Sequence, residues 1–339
     1  MKNLTHTALA VIVLAMNCHP VFATQPEQQT MQTQPEFKNA QDFIEFFRRG
    51  EEWYDRRSVS VLIVDNQPDP NAMKALGEEL MVGTQDVRSN IIRLLDTVRQ
   101  FSHPGRELRT PEVIALLVGP GFAKTDGARS DAMMMLCKYA SPVTLSRYGD
   151  VFLGELKKKP NYGALCLIAK AKTKAARKEI KRLSRLPEWN NPSDSDREAM
   201  RIARAALGDT KIENEFIAEA TRLEAEAMRT EGKGDLGSLK DVLNSLVKIG
   251  TPRSLRFVCQ RMRSPLINDQ VGVSQTSLRL SVMNILQYAF PGEPSLGASV
   301  YSDEDYIRVE QFCVRELGEI YRGIPRPEYF HTILYLNEG

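Results

Sequence analysis

Residues 239–262 read LKDVLNSLVKIGTPRSLRFVCQRM, two amphipathic stretches joined by Gly-Thr-Pro. In the first, Leu239, Val242, Leu243, Leu246 and Ile249 share one helical stripe, and in the second Leu255, Val258, Cys259 and Met262 do the same. Between them Thr251 offers a hydroxyl to an orphan backbone N–H. Pro252 stands at the first helical position, where its missing donor had no partner to lose. The stretch therefore predicts a helix, a tight turn and a second helix, each with an apolar face that a neighbouring element must cover.

The same device recurs upstream at Thr110-Pro111 and Ser141-Pro142. Leu145, Tyr148, Phe152 and Leu156 follow the second of these at helical spacing. Ahead of the first, Val87, Ile91, Leu94, Leu95, Val98 and Phe101 line one stripe of a further helix. Counting junctions at Pro111, Pro142, Lys174, Thr210 and Pro252 gives successive spacings of 31, 32, 36 and 42 residues, the range of stacked helix-pair repeats. The Lys174 and Thr210 junctions lack proline. An array of this kind grows as one body because each unit packs on its neighbours, so 339 residues need not mean several domains.

On these residues, and on Asp86-Val87-Arg88, which is similar to an Asp-x-Arg repeat start, the stretch from about 84 to 262 resembles HEAT-type α-solenoid repeats. The resemblance implies an all-α fold: a right-handed α-solenoid of five to six antiparallel helix pairs with helical end caps. It implies a curved scaffold that binds macromolecules, and it supplies no catalytic residue. The expected organisation is a signal peptide over 1–23, a leader over 24–38, an N-terminal helical cap over 39–83, repeats over 84–274, and a final helix pair with its cap over 275–339.

The front of the chain carries Lys2, an apolar run over 8–16 and Val21-Phe22-Ala23, the layout of a secretory signal cleaved between Ala23 and Thr24. Nine apolar residues are too few to span a bilayer. Asn17 before Cys18 disfavours a lipoprotein, so the expected address is periplasmic or secreted. The Gln-, Pro- and Thr-rich residues 24–36 have little to bury. Residues 39–57 read as a helix with Phe43, Phe46, Phe47 and Trp53, and 59–64 as a short strand or a buried segment. Aromatics collect at both ends, where terminal repeats must close an apolar edge.

Formal charge is +2, from 45 bases and 43 acids, so no global field points to nucleic acid. Beyond the signal stand Cys137, Cys166, Cys259 and Cys313, each within an apolar helical pattern; buried thiols are expected, against the three ways an oxidising compartment could pair them. His103 and His331 lie 228 positions apart, and no metal-ligand spacing occurs, so neither metal nor cofactor is expected. Gly232, Gly234 and Gly237 form a G-x-G-x-x-G, but a charged helix precedes them where a phosphate cradle needs a buried strand. Ser245 and Lys248 have the Ser-x-x-Lys spacing of an acylating serine without its companion motifs.

Charge segregation is the signal above background. Residues 157–185 hold 11 bases against Glu179, a net +10, and 209–231 hold seven acids against three bases, a net −4. A basic block one repeat long predicts a surface patch that attracts an acidic partner, with Lys157, Lys158, Lys159, Lys170, Lys174, Arg177, Lys178, Lys181 and Arg182 as its contact residues. The alternative is a solvated face paired with the acidic block. The expected function is a non-enzymatic scaffold in a bacterial envelope that binds an acidic protein, an immunity or assembly factor, with anionic polymers or lipid headgroups as other polyanions. The competing classes are an envelope enzyme, such as a cell-wall hydrolase, and a structural component of an envelope complex.

Overall fold

The computed structural model describes residues 42, 45, 62–64, 67–102, 107–158, 161–186, 194–230, 236–268, 276–294, 296 and 303–326, all within the unit Phe37–Gly339. The signal segment, the leader, the aromatics of 43–54, Lys159, both downstream histidines, Gly232 and Gly234 lie outside the described residues.

The described chain is all-α. Its helices are α1 (Pro70–Val82), α2 (Gln85–Ser102), α3 (Pro111–Val118), α4 (Gly127–Tyr139), α5 (Pro142–Ser146), α6 (Gly149–Lys158) and α7 (Tyr162–Ala171). They continue with α8 (Arg177–Leu183), α9 (Asp194–Ala206), α10 (Thr210–Arg229), α11 (Leu236–Ile249), α12 (Pro252–Gln260), α13 (Leu278–Leu286) and α14 (Asp303–Leu317). Two antiparallel pairings of two residues each, Ile63–Val64 with Gln67–Pro68 and Ile267–Asn268 with Thr276–Ser277, are the extended structure among the described residues. The described end of the β-branched run, Ile63 and Val64, thus pairs with Pro68 and Gln67 just after it.

The predicted caps form at two of the three proline junctions. Ser141 accepts from the Thr144 N–H at 3.2 Å, and Thr251 accepts from Ser254 N–H at 3.1 Å while the Ser254 hydroxyl accepts from Thr251 N–H, also at 3.1 Å, a reciprocal capping box. Thr110 holds the extended cap backbone, but its buried hydroxyl has no hydrogen-bond partner. The stripe of Leu145, Tyr148, Phe152 and Leu156 is not one helix: the chain breaks between α5 and α6, where Tyr148 N–H donates to Leu145 O and Gly149 sits against Thr173.

Six helices form a chain of contacts in which α2 packs on α4, α4 on α7, α7 on α9, α9 on α11, and α11 on α13. At its centre every residue of α7 from Gly163 to Ala171 is buried. A helix enclosed on all sides needs apolar residues on all sides, and Ala164, Leu165, Leu167, Ile168 and Ala169 provide them. Gly163 lets α7 approach α4 closely, since a Cβ there would stand 2.8 Å from the Met133 side chain. The stripes predicted on α2, α11 and α12 are buried: Val87, Ile91, Leu94, Leu95 and Val98, then Leu239, Leu243, Leu246 and Ile249, then Leu255, Val258 and Cys259. Arg88, from the Asp-x-Arg triplet, is fully buried; its guanidinium donates to Leu80 O at 2.7 Å and Gly121 O at 3.2 Å and pairs with Asp126, the N-cap of α4. One side chain thereby ties the end of α1 to the start of α4, satisfying carbonyls that would otherwise be buried without donors.

Candidate basic cleft and buried lysine

The basic block divides between two environments. α8 carries Arg177, Lys178, Lys181 and Arg182 at exposed positions, with Lys174 exposed in the 3-10 turn just before it. Lys157 and Lys158 are exposed at the end of α6, where Lys158 pairs with Glu155 at 2.8 Å. Arg182 is clamped to Glu179 at 2.6 Å.

Lys170 does not belong to that surface. It is 3% exposed, because its position on α7 faces α4 and Tyr288. Its Nζ donates to Cys137 O at 2.6 Å, in the last turn of α4, and lies 4.1 Å from the centre of the Tyr288 ring. A helix C-terminus and an aromatic face both favour a cation, yet burial dominates and brings the ammonium down to about 7, with Cys137 and Glu107 opposing that shift. Lys172 is likewise withdrawn: its Nζ donates to Ile249 O, and burial lowers it to about 8 against the pull of Glu213.

Of the exposed predicted cations, Arg177 and Lys181 open onto a cleft of about 580 Å³ between α8, the end of α9 and the start of α10, whereas Lys157, Lys158, Lys174, Lys178 and Arg182 do not line it. Arg177, Lys181, Arg185, Arg204 and Lys211 line it, five cations against the single carboxylate Asp209, for a net +4. Asp209 caps α10 by accepting from Ile212 N–H and pairs with Arg204 at 2.6 Å, so it is already engaged. Arg177 is held across the cleft by donating to Leu207 O, the carbonyl just past α9. Gly208, at φ +103°, turns the chain there; a Cβ would meet the Arg177 guanidinium at 2.9 Å, and the left-handed backbone suits glycine.

Three of these five, Arg185, Arg204 and Lys211, lay outside the predicted contact set for a traceable reason. Arg185 ends the basic run; Arg204 precedes the acidic block and reaches the cleft because α9 packs on α8, while Lys211 falls within that block and is brought there by the turn at Gly208. The acidic block itself goes elsewhere: Arg201 takes Glu215 at 3.6 Å and Arg261 takes Glu224 at 2.7 Å. Glu213 is buried, accepting from the Thr251 hydroxyl. These acids are drawn onto α9 and α12, away from α8.

A second cleft, of about 360 Å³, lies among α9, α10 and α11 and is lined by Glu198, Arg201, Glu219, Asp241, Ser245 and Lys248 with their neighbours. Ser245 Oγ donates to Glu198 Oε1 at 2.7 Å, while Lys248 Nζ donates to the Tyr162 hydroxyl at 3.4 Å, so the Ser-x-x-Lys pair is split between two partners. Behind Tyr162 the Cys137 thiol donates to Gly163 O at 3.9 Å and neighbours Cys166. Burial raises Cys137, whereas the adjacent Cys137 thiol lowers Cys166. All four described cysteines are buried, as the apolar patterns predicted.

Fold and site together define an all-α protein with a concentrated cationic cleft and a buried polar centre. In comparisons with known proteins, no family model matches the chain, and neither does any curated protein or solved structure.

Proposed function

We propose that the chain is an exported, non-enzymatic α-solenoid scaffold of the HEAT type, periplasmic or secreted, that docks an acidic protein through the cleft of α8, α9 and α10. The observation that carries this reading is the convergence of five cations from three elements on one opening, with the neighbouring acids engaged elsewhere. Cations held by a rigid frame steer an acidic partner and fix its register more than they add raw affinity. The solenoid part is supported by the succession of contacts from α2 through α13 and by the capped proline junctions. No helix among the described residues is long and apolar enough to cross a membrane, which accords with a partner met in the aqueous phase.

The test is binding of a fluorescent Asp/Glu-rich peptide, followed by anisotropy, to the wild type and to a Lys181→Glu, Arg185→Glu, Lys211→Glu variant. The expected result is a Kd at least about tenfold weaker in the variant, and a wild-type affinity that falls as salt rises. Equal binding by both proteins, or by neither, overturns the reading.

The second cleft favours one other reading, an envelope enzyme acting on glycan, because Glu198, Glu219 and Asp241 converge there beside Ser245. Release of soluble fragments from purified peptidoglycan by the wild type, lost in Glu198→Gln and Asp241→Asn, would replace the scaffold with the enzyme.

A further inference from the structure

Of the three ways to pair four cysteines, the fold favours one: Cys137 and Cys166 lie on the packed helices α4 and α7, and Cys259 and Cys313 meet directly. The second pair is the closer to covalent geometry. Cys259 and Cys313 are fully buried, 54 residues apart in sequence, and their sulfurs are 2.9 Å apart, about 0.9 Å beyond a disulfide bond length. They face each other across the packing of α12 on α14.

The same interface is stitched by polar contacts at helical spacing along α12 and the turn after it. Arg256 Nε donates to Leu317 O at 2.6 Å, Gln260 Nε2 to Ile320 O at 3.3 Å, and Arg263 pairs with Glu310 at 3.1 Å. Arg326 reaches the same Glu310 at 2.6 Å. Side chains fixed on both flanks hold the two thiols in register, so bond formation needs a sub-ångström approach and no rearrangement of the helices.

We infer that Cys259 and Cys313 form a disulfide that fastens α14 and the chain after it to α12. The oxidant is a disulfide-bearing thiol compound. A Cys thiolate attacks its S–S bond and releases one thiol; the resulting mixed disulfide is attacked by the second Cys, which releases the other thiol and leaves the Cys259–Cys313 bond. Two protons and two electrons leave the protein for the oxidant. Both sulfurs are buried once α14 docks, and Cys259 is held up by its hydrogen bond with Cys313 and by burial, so attack takes place on chains in which α14 is still undocked.

The experiment is refolding of the full, urea-unfolded chain with oxidised glutathione, followed by alkylation of remaining thiols, trypsin digestion without reductant, and mass spectrometry. Because the oxidant is supplied, the outcome is independent of where the protein resides and of what it binds. The expected product joins the peptide of residues 257–261 to that of 309–315, two hydrogens lighter than their sum. Reductant then lowers the wild-type Tm by about 5 °C and leaves a Cys259→Ala, Cys313→Ala variant unchanged. Full alkylation of both peptides, or linkage of either to Cys137 or Cys166, overturns the inference. Peptide mapping uses wild type, so the linkage is read directly even if the variant does not fold.

Discussion

α7 and α8 are consecutive helices drawn from one basic run, and they put their cations to opposite uses. α8 presents Lys178 and Lys181 to solvent, whereas α7 is enclosed by α4, α5, α6, α9 and α11 and carries Lys170 into the interior. On α8 a charge costs nothing to solvate and is free to act at a distance. On α7 the same charge must be satisfied locally, by one carbonyl and one ring. Sequence charge thus measures potential for binding only after burial has sorted the residues.

The sharpest way to break the comparison is to place the same substitution on both helices. Lys170→Glu sets a carboxylate against the Cys137 carbonyl in a site built for a donor, and is expected to cost more than about 4 kcal/mol in urea unfolding at pH 7. Lys181→Glu is expected to change stability by less than about 1 kcal/mol, since the side chain is exposed and the last turn of α8 and the cleft beside it set only small, opposing charge effects. Similar costs at the two positions would mean that α7 is no more enclosed than α8.

The comparison sharpens with pH. Below about 7 both folded and unfolded Lys170 carry the proton. Between about 7 and 10.5 the unfolded chain binds a proton that the folded chain releases, so stability rises with pH through that window and is lost as pH falls through it. Lys172 adds the same sign above about 8. Cys137, raised by burial, acts in the opposite sense as free thiols ionise near 9, which leaves 7 to 9 as the interval in which Lys170, joined by Lys172 above about 8, sets the slope. Over it the wild type is expected to gain about 2 kcal/mol in urea unfolding, most of which Lys170→Met removes. A flat profile in wild type would mean that Lys170 keeps its proton when folded.

Much of the fold was legible because helices announce themselves locally. Leu239 to Ile249 and Leu255 to Cys259 are buried as their spacing foretells, and Ser141 and Thr251 cap as hydroxyls before proline should. What failed locally had a tertiary cause: Gly149 fits against Thr173, 24 residues on, and that contact accompanies the break between α5 and α6. The candidate site was legible in its charge and illegible in its shape. Arg177, Lys181 and Arg185 lie in the basic run, but their meeting with Arg204 and Lys211 depends on α9 packing on α8, on the turn at Gly208 and on Asp209 choosing Arg204. Lys170 escapes a local reading because its flanks, Leu167, Ile168 and Ala171, describe a helix buried all round only when one knows that five others surround it.

The smallest expected effect tests what the interior offers a cation besides a carbonyl. Tyr288 is half-buried just past α13, its hydroxyl is enclosed without a hydrogen-bond partner, and the ring rather than the phenol is what the Lys170 ammonium meets. Tyr288→Phe keeps the face and removes an unsatisfied polar atom, and is expected to be neutral to about 1 kcal/mol stabilising at pH 7. Tyr288→Leu fills much of the space without a π face and is expected to cost about 1 to 2 kcal/mol and to push the rise of stability with pH toward lower pH, since Lys170 then gives up its proton more readily. The pair of variants separates hydroxyl from ring: a loss in both would give the phenol a bonding role, and a shift of the pH profile confined to leucine would make the ring part of what α7 has and α8 does not need.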